Sequence, residues 1–292
     1  MATQQEKQSL LGSAPIGKLM AKLALPSIVA QIINILYNIV DRIYIGHIGE
    51  EGSLALTGLG VCFPIITLIS AFSAFAGAGG APLAAIELGK SEYDSSAKEK
   101  AKEILGNVII MIIGFSLVLS VFFYFLREPI LLAFGASENT LPFAKNYLGI
   151  YLIGTFFVQI SIGLNPFISC QGFAKTAMAS VIIGAVVNIV LDPIFIFGFH
   201  LGVRGAAFAT VISQGISAIW IIRFLASKKS ALSLSVKIIK FNPKIIGKIA
   251  SLGISPFIMQ STESAIFVVF NSGLQKYGGD LYVGSMTIMQ SI

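Results

Sequence analysis

Polar side chains recur at helical spacing inside the first long apolar stretch of the sequence. Four of them are separated by intervals of three, four and three residues: Gln31, Asn34, Asn38 and Asp41. These intervals place the four side chains on one face of a helix. A charge that faces lipid costs at least about 2.5–3.5 kcal/mol at mid-bilayer, so the stripe is expected to line a polar cavity. The alternative is that Asp41 lies at the outer membrane interface and pairs locally with Arg42.

A second carboxylate lies at helical spacing from an amide further along the chain. Asn188 and Asp192 are four residues apart, and Thr210 lies near the start of the next apolar stretch. At a rise of about 1.5 Å per residue, these three residues and Asp41 fall at similar depths in the outer half of the membrane. Carboxylate, amide and hydroxyl oxygens suit a hard monovalent cation, and the carboxylates could instead carry a proton. The sequence therefore predicts a cation-binding site formed by Asp41, Asn188, Asp192 and Thr210.

A third carboxylate, Glu263, lies within the last complete apolar stretch. Gln260 precedes it by three residues, and Tyr37 belongs to the stretch that carries Asp41. We expect Tyr37, Gln260 and Glu263 to line the same cavity. The alternative for Glu263 is a structural hydrogen bond to a second lobe.

The elements that position these residues follow from the composition. Only 12% of the 292 residues are charged, against roughly 25% in soluble proteins, and the mean hydropathy is +0.85. A spanning helix needs about 20 mostly apolar residues. Seven stretches meet this length, and an eighth begins at the end of the chain: 19–45, 52–86, 104–126, 146–174, 176–199, 205–223, 245–274 and 281–292. The sequence thus predicts an all-α polytopic membrane protein.

Basic residues set the predicted orientation. If the N-terminus lies inside, most Lys and Arg residues fall in inner loops, as the positive-inside rule requires. We therefore expect a multi-pass protein of the cytoplasmic membrane with a cytoplasmic N-terminus. The first helix would serve as an uncleaved signal. The basic residues are not interleaved with aromatic residues, so no nucleic-acid partner is expected. The two cysteines, Cys62 and Cys170, are predicted to be packing residues.

A weak internal repeat predicts the domain organisation. Pro26 and Gln31 in the first helix correspond to Pro256 and Gln260 in the seventh, and both helices start on the inner side. This pattern is typical of transporters built from two parallel repeats. We expect a six-helix transmembrane lobe at 1–226, a cytoplasmic linker at 227–244 and the start of a second lobe at 245–292. Prolines and glycines inside the helices could serve close packing or bending during transport, and both roles stay open.

Three segments resemble the multidrug and toxic compound extrusion (MATE) transporters, in particular their bacterial multidrug-pump branch. They are NILYNIVDRIYIG (34–46), LNPFISCQG (164–172) and GAVVNIVLDPIFIFGFHLGVRGAAFATVISQ (184–214). The resemblance implies twelve helices in two six-helix lobes, so this chain is expected to stop after the start of the eighth. It implies Na⁺- or H⁺-coupled antiport that exports multiple drugs, mostly cationic and amphipathic, by a monomer in the lipid bilayer. It maps the family's cation site onto Asp41, Asn188, Asp192 and Thr210, and an acidic residue of some members onto Glu263.

Three other functions make different demands on the residues. A lipid or oligosaccharide flippase would need a basic groove inside the membrane, and no Lys or Arg lies in the middle of a predicted helix. An enzyme would need clustered catalytic groups, but the two histidines, His47 and His200, are both near the outer surface. We therefore expect no enzyme activity, no catalytic residue, and no cofactor or metal other than the coupling ion. A channel stays open as an alternative.

Overall fold

The computed structural model describes residues 15–91, 93–235 and 239–290, and these residues form a helical bundle. The helices are α1 (Ile16–Gly46), α2 (Gly52–Lys90), α3 (Ser95–Ala133), α4 (Leu141–Ser169), α5 (Ala174–Pro193), α6 (Val203–Leu225), α7 (Pro243–Gly278) and α8 (Asp280–Met289). A 3₁₀ turn, Gly49–Glu51, precedes α2, and a π-helical segment, Ile194–Gly198, extends α5. Seven of the described helices are long and apolar enough to span a membrane. The predicted all-α polytopic membrane fold is therefore confirmed.

Several helices extend beyond the apolar stretches that predicted them. The largest extension is at α3, where the Asp94 carboxylate accepts a 2.8 Å hydrogen bond from the Ser96 N–H and a second from the Ser96 hydroxyl. These hydrogen bonds cap the helix and lower the pKa of Asp94. At α7, the Asn242 side chain accepts from the Lys244 N–H at 3.1 Å, and Pro243 occupies the first helical position. The last two residues of the segment predicted as a linker, 243–244, are therefore helical.

The loops fall at two ends of the bundle because successive long helices run in opposite directions. One end carries the loops around residues 47–51, 134–140, 199–202 and 279, and we call it the predicted outer end. The other carries the loops around residues 91–94, 170–173 and 226–242, and we call it the predicted inner end.

Helix α2 is the central element of the bundle. It packs against α3, α4, α7 and α8, while α1 packs mainly on α5, and α4 packs on α6. Glycines allow α2 to approach two neighbours closely: a Cβ on Gly77 would meet the Gly163 backbone of α4, and one on Gly79 would meet Ile249 and Gly253 of α7. Two cores fill the bundle, one around Val61 and one around Val108.

The cysteines lie in different surroundings. Cys62 is fully buried in the first core, and its thiol lies 3.4 Å from the Ala144 carbonyl oxygen. Cys170 is half-buried at the predicted inner end, and both thiols are free.

Candidate functional site

A cavity of about 620 Å³ lies between α1, α2, α4, α5, α6 and α7. The structure brings all the predicted cavity-lining residues to its wall, together with two members of the predicted cation site. These residues are Gln31, Asn34, Tyr37, Asn38, Asp41, Thr210, Gln260 and Glu263. The polar stripe of α1 thus faces the interior of the bundle, and Gln260 and Glu263 close the cavity from α7.

The two carboxylates predicted from separate helices lie against each other. The carboxyl groups of Asp41 on α1 and Asp192 on α5 are within hydrogen-bonding range. Asp41 is 7% exposed and lines the cavity, while Asp192 is fully buried behind it. The Asn188 amide is 1% exposed and donates to Asp192 Oδ1 at 3.3 Å. The periodicity of α1 and the four-residue spacing on α5 are sufficient to produce this contact once the two helices pack.

Helix α5 changes geometry directly after Asp192. Pro193 has no N–H and cannot donate to the carbonyl of Ile189, which lies one turn earlier. The π-helical segment Ile194–Gly198 follows at once, and such segments occur frequently at functional sites. Asp192 therefore occupies the last α-helical turn of α5, where the helix is least constrained by its own hydrogen bonds.

Unpartnered oxygens define what this site can hold. Among the described residues, Asp41 Oδ1, Asn188 Oδ1 and Asp192 Oδ2 are buried without a hydrogen-bond partner. Buried polar atoms are normally paired, and two carboxylates in contact repel each other unless a proton or cation lies between them. Three converging oxygens are the donor type that a hard cation such as Na⁺ takes. The donor set therefore fits either coupling ion, Na⁺ or H⁺.

Thr210 reaches the site through an aromatic residue. Its hydroxyl is hydrogen-bonded to Tyr147 on α4, and the Tyr147 hydroxyl also interacts electrostatically with Asp41. Tyr147 and Tyr151 are buried and stack with their ring centroids 6.2 Å apart. Sequence reasoning did not single out either tyrosine. Their four-residue spacing within one apolar stretch is the signal that could have placed both on one helical face.

Arg42 does more than pair with its sequence neighbour. Its side chain is only 6% exposed, so Asp41 and Arg42 do not form a solvent-exposed interface pair. The guanidinium is attracted to Asp41, lies 4.7 Å above the ring of Phe63 and donates to the Thr287 carbonyl oxygen of α8 at 2.6 Å. The interior site therefore contains a buried cation as well as two acidic groups.

The fold and the site define a polytopic α-helical membrane protein with a polar, partly acidic cavity inside its bundle. The MatE family model matches residues 26–194, and the chain belongs to this family. The matched segment contains Asp41, Asn188 and Asp192, while Thr210 lies beyond it.

Proteins of known role resemble nearly the whole chain. Multidrug export protein MepA of Staphylococcus aureus (strain NCTC 8325 / PS 47) is 26% identical over 265 residues, which cover 91% of this chain and 57% of MepA. MepA of Staphylococcus haemolyticus (strain JCSC1435) is 28% identical over 263 residues, with 90% and 57% covered. The chain thus spans a little over half the length of these relatives.

Solved structures show the same fold. The MATE multidrug transporter DinF-BH, solved in complex with a small-molecule ligand, superposes with a TM-score of 0.88 and 32% identity, over 96% of this chain and 61% of that one. An inward-facing multidrug resistance transporter of the MATE family superposes with a TM-score of 0.81 over 93% of this chain and 60% of that one. Its identity of 24% supports the fold alone.

Proposed function

We propose that the protein acts in the export of multiple drugs and other toxic organic compounds across the cytoplasmic membrane, driven by the entry of Na⁺ or H⁺. The observation that carries this proposal is the contact between Asp41 and Asp192, whose unpartnered oxygens adjoin a polar cavity. Membership of the MatE family and the similarity to MepA support the same conclusion.

The cavity's charge and shape favour cationic amphipathic substrates. Asp41 and Glu263 contribute two carboxyl groups to the wall, against the single guanidinium of Arg42 among the described lining residues. The rings of Tyr37 and Phe63 also face the cavity, and aromatic faces attract organic cations. The ligand complex of DinF-BH supports a small-molecule substrate for a transporter of this fold.

Coupling follows from the position of the carboxyl pair. A cation bound between Asp41 and Asp192 neutralises charge at the wall of the cavity that holds the substrate. It thereby weakens the attraction for a cationic substrate and removes the repulsion between α1 and α5. A ligand shifts a conformational equilibrium only through its differential affinity for the two states, and both effects provide such a difference. Export then requires the emptied site to release the cation inside, with the N-terminus at the cytoplasmic face.

A flippase for anionic lipid or oligosaccharide is the less favourable alternative. It would need a predominantly basic cavity to bind phosphate groups, whereas this cavity carries more carboxylates than cations among its described residues. A channel would not need a cavity that binds its substrate and a cation in competition. Saturation and exchange in the experiment below separate a channel from an antiporter.

Dye efflux tests the proposal directly. Vesicles that contain the protein are loaded with a fluorescent cationic dye, and a Na⁺ gradient and a pH gradient are imposed separately. We expect one gradient to drive dye transport by the wild type. Asp41→Asn and Asp192→Asn should reduce that transport to the background of empty vesicles, because each removes one of the two charges that bind the cation.

Glu51→Gln is the matched control, since Glu51 is an exposed carboxylate at the predicted outer end. It should transport dye like the wild type. Binding of radioactive Na⁺, or proton uptake, by the purified chain tests the site without requiring transport. Wild-type transport in both Asn variants would refute the carboxyl pair as the coupling site, and dye movement that ignores both gradients would refute antiport.

A further inference from the structure

A buried arginine joins the cation site to a helix that lies far away in the sequence. Arg42 follows Asp41 on α1, and its guanidinium donates to the Thr287 carbonyl oxygen at 2.6 Å. Two hundred and forty-five positions separate the two residues. Thr287 is 1% exposed and lies near the end of α8. Arg42 therefore touches both the residue that binds the cation and the helix that follows the α7–α8 turn.

Helix α8 is docked on α2 by small residues that leave no spare room. A Cβ on Gly60 of α2 would overlap the Thr287 hydroxyl, and one on Gly284 of α8 would lie 2.6 Å from the Thr57 hydroxyl. At the predicted outer end, the Ser137 hydroxyl donates to Asp280 Oδ2 at 3.0 Å. Such a close-packed interface has discrete docked and undocked arrangements, because packed surfaces are not continuously deformable.

The charge of Arg42 needs a compensating charge nearby. A buried guanidinium without a counter-ion is strongly unfavourable, and hydrogen bonds to a carbonyl do not supply a negative charge. The titratable groups that interact with Arg42 are Asp41 on its own helix and Tyr147 on α4, while α2 and α8 present Phe63 and Thr287 to it. Asp192 acts on Arg42 through Asp41. The negative charge that holds Arg42 in place is therefore the charge of the carboxyl pair.

We propose that Arg42 is a positioning residue that holds α8 on α1 and α2 only while the Asp41–Asp192 pair is negatively charged. A proton or Na⁺ on the pair cancels the counter-charge, Arg42 leaves the Thr287 carbonyl, and α8 undocks from α2 at the predicted outer end. This inference rests on the proposed cation site, and it adds the element through which the occupancy of that site is transmitted.

Spin-label distances test the proposal. Labels are attached to Glu138→Cys in the α3–α4 loop and Leu281→Cys in α8, in a background with Cys62→Ala and Cys170→Ala. Both labelled positions are exposed. In the chain with Arg42 intact, Na⁺ or acid should lengthen the distance by about 5 Å, the scale of one-turn shifts between packed elements. Cation binding is measured on the same samples.

The variants separate coupling from binding. Arg42→Gln should give the long distance with and without the cation, yet bind the cation at least as tightly, because a competing positive charge is removed. Arg42→Lys keeps the charge and should keep the response. Asp41→Asn neutralises the pair and should give the long distance without any cation. Arg204→Gln, at an exposed arginine of α6 that donates to Asn146, is the matched control and should respond normally.

The outcomes are distinguishable even if a variant folds poorly. Cation binding by the chain with Arg42 intact, without any change in distance, would overturn the role of Arg42 and α8 and leave the cation site standing. A normal cation-dependent change in Arg42→Gln would also overturn that role. Absence of cation binding in the chain with Arg42 intact would overturn the proposed cation site and this inference with it.

Discussion

A single carbonyl in α2 shows how residues far apart in sequence complete one another. Pro64 has no N–H, so the Gly60 carbonyl one turn earlier loses its helical donor. Asn271 of α7, which is 1% exposed, donates to that oxygen at 3.1 Å. The kink that Pro64 introduces is therefore compensated by a neighbouring helix. Of the two roles left open for the prolines, the contacts of Pro64 support close helix packing.

A double-mutant cycle checks this compensation. Asn271→Ala is expected to lower the free energy of unfolding by about 1 kcal/mol or more, since it leaves the Gly60 carbonyl buried and unpaired. The loss should shrink in a Pro64→Ala background, where the backbone N–H is restored, which gives a coupling of about 1 kcal/mol. Unfolding in detergent measures all four proteins. Equal losses in the two backgrounds would contradict the assignment.

The helix faces that carry the site could be predicted residue by residue. The intervals between Gln31, Asn34, Asn38 and Asp41 are local properties of the sequence, and all four side chains line the cavity. Tyr147 was missed because a tyrosine in an apolar helix is indistinguishable from an ordinary packing residue. Its value to the site depends on Thr210, a residue of another helix.

At the scale of elements, the crossing of α2 and α7 depends on glycine. A Cβ on Gly253 would run into the Phe75 backbone of α2, whereas nothing lies within 4 Å of the corresponding position on Gly273 of the same helix. The aromatic rings of Phe72, Phe75 and Phe257 fill the space beside this crossing. The α2–α7 contact therefore joins the predicted first lobe to the first helix of the predicted second one.

Two glycine substitutions on α7 test that crossing. Gly253→Ala should destabilise the protein by about 1–3 kcal/mol, the usual cost of overpacking, because backbone atoms cannot move aside. Gly273→Ala is the control and should be neutral or stabilising by up to about 1 kcal/mol, since alanine favours helix. Thermal unfolding in detergent gives both values. The same response in the two variants would show that the crossing tolerates a side chain.

At the scale of the whole molecule, the segment between α6 and α7 is docked on the bundle at both ends. Gln171 Oε1, in the α4–α5 loop, accepts from the Ser230 hydroxyl at 3.0 Å and from the Ala231 N–H at 2.8 Å. Leu232 is fully buried, and the Asn242 N–H donates to Asn107 of α3. The described parts of this connection thus fix the start of α7 relative to the preceding helices.

Limited proteolysis checks this docking. Gln171→Ala removes the acceptor of two buried hydrogen bonds, each loss costing about 1–3 kcal/mol, so the segment should open more often. Trypsin cleavage at the exposed Lys228 and Lys229 is then expected to accelerate about tenfold or more, because cleavage follows the population of the open form. Gln214→Ala, in the cavity wall, should leave the cleavage rate unchanged. An unaltered rate in Gln171→Ala would mean that Gln171 does not hold the segment.

The sequence by itself determined the helices and their polar faces, because helix length and periodicity depend on residues within a few turns of one another. It also brought Asp41, Asn188 and Asp192 to a common depth, since depth follows from counting residues along each helix. Only the tertiary structure decided that the carboxyl groups meet, which oxygens are left unpartnered, and that Arg42 reaches Thr287. Those features depend on how separate helices rotate and pack against each other, and packing is set by the whole bundle rather than by any one segment.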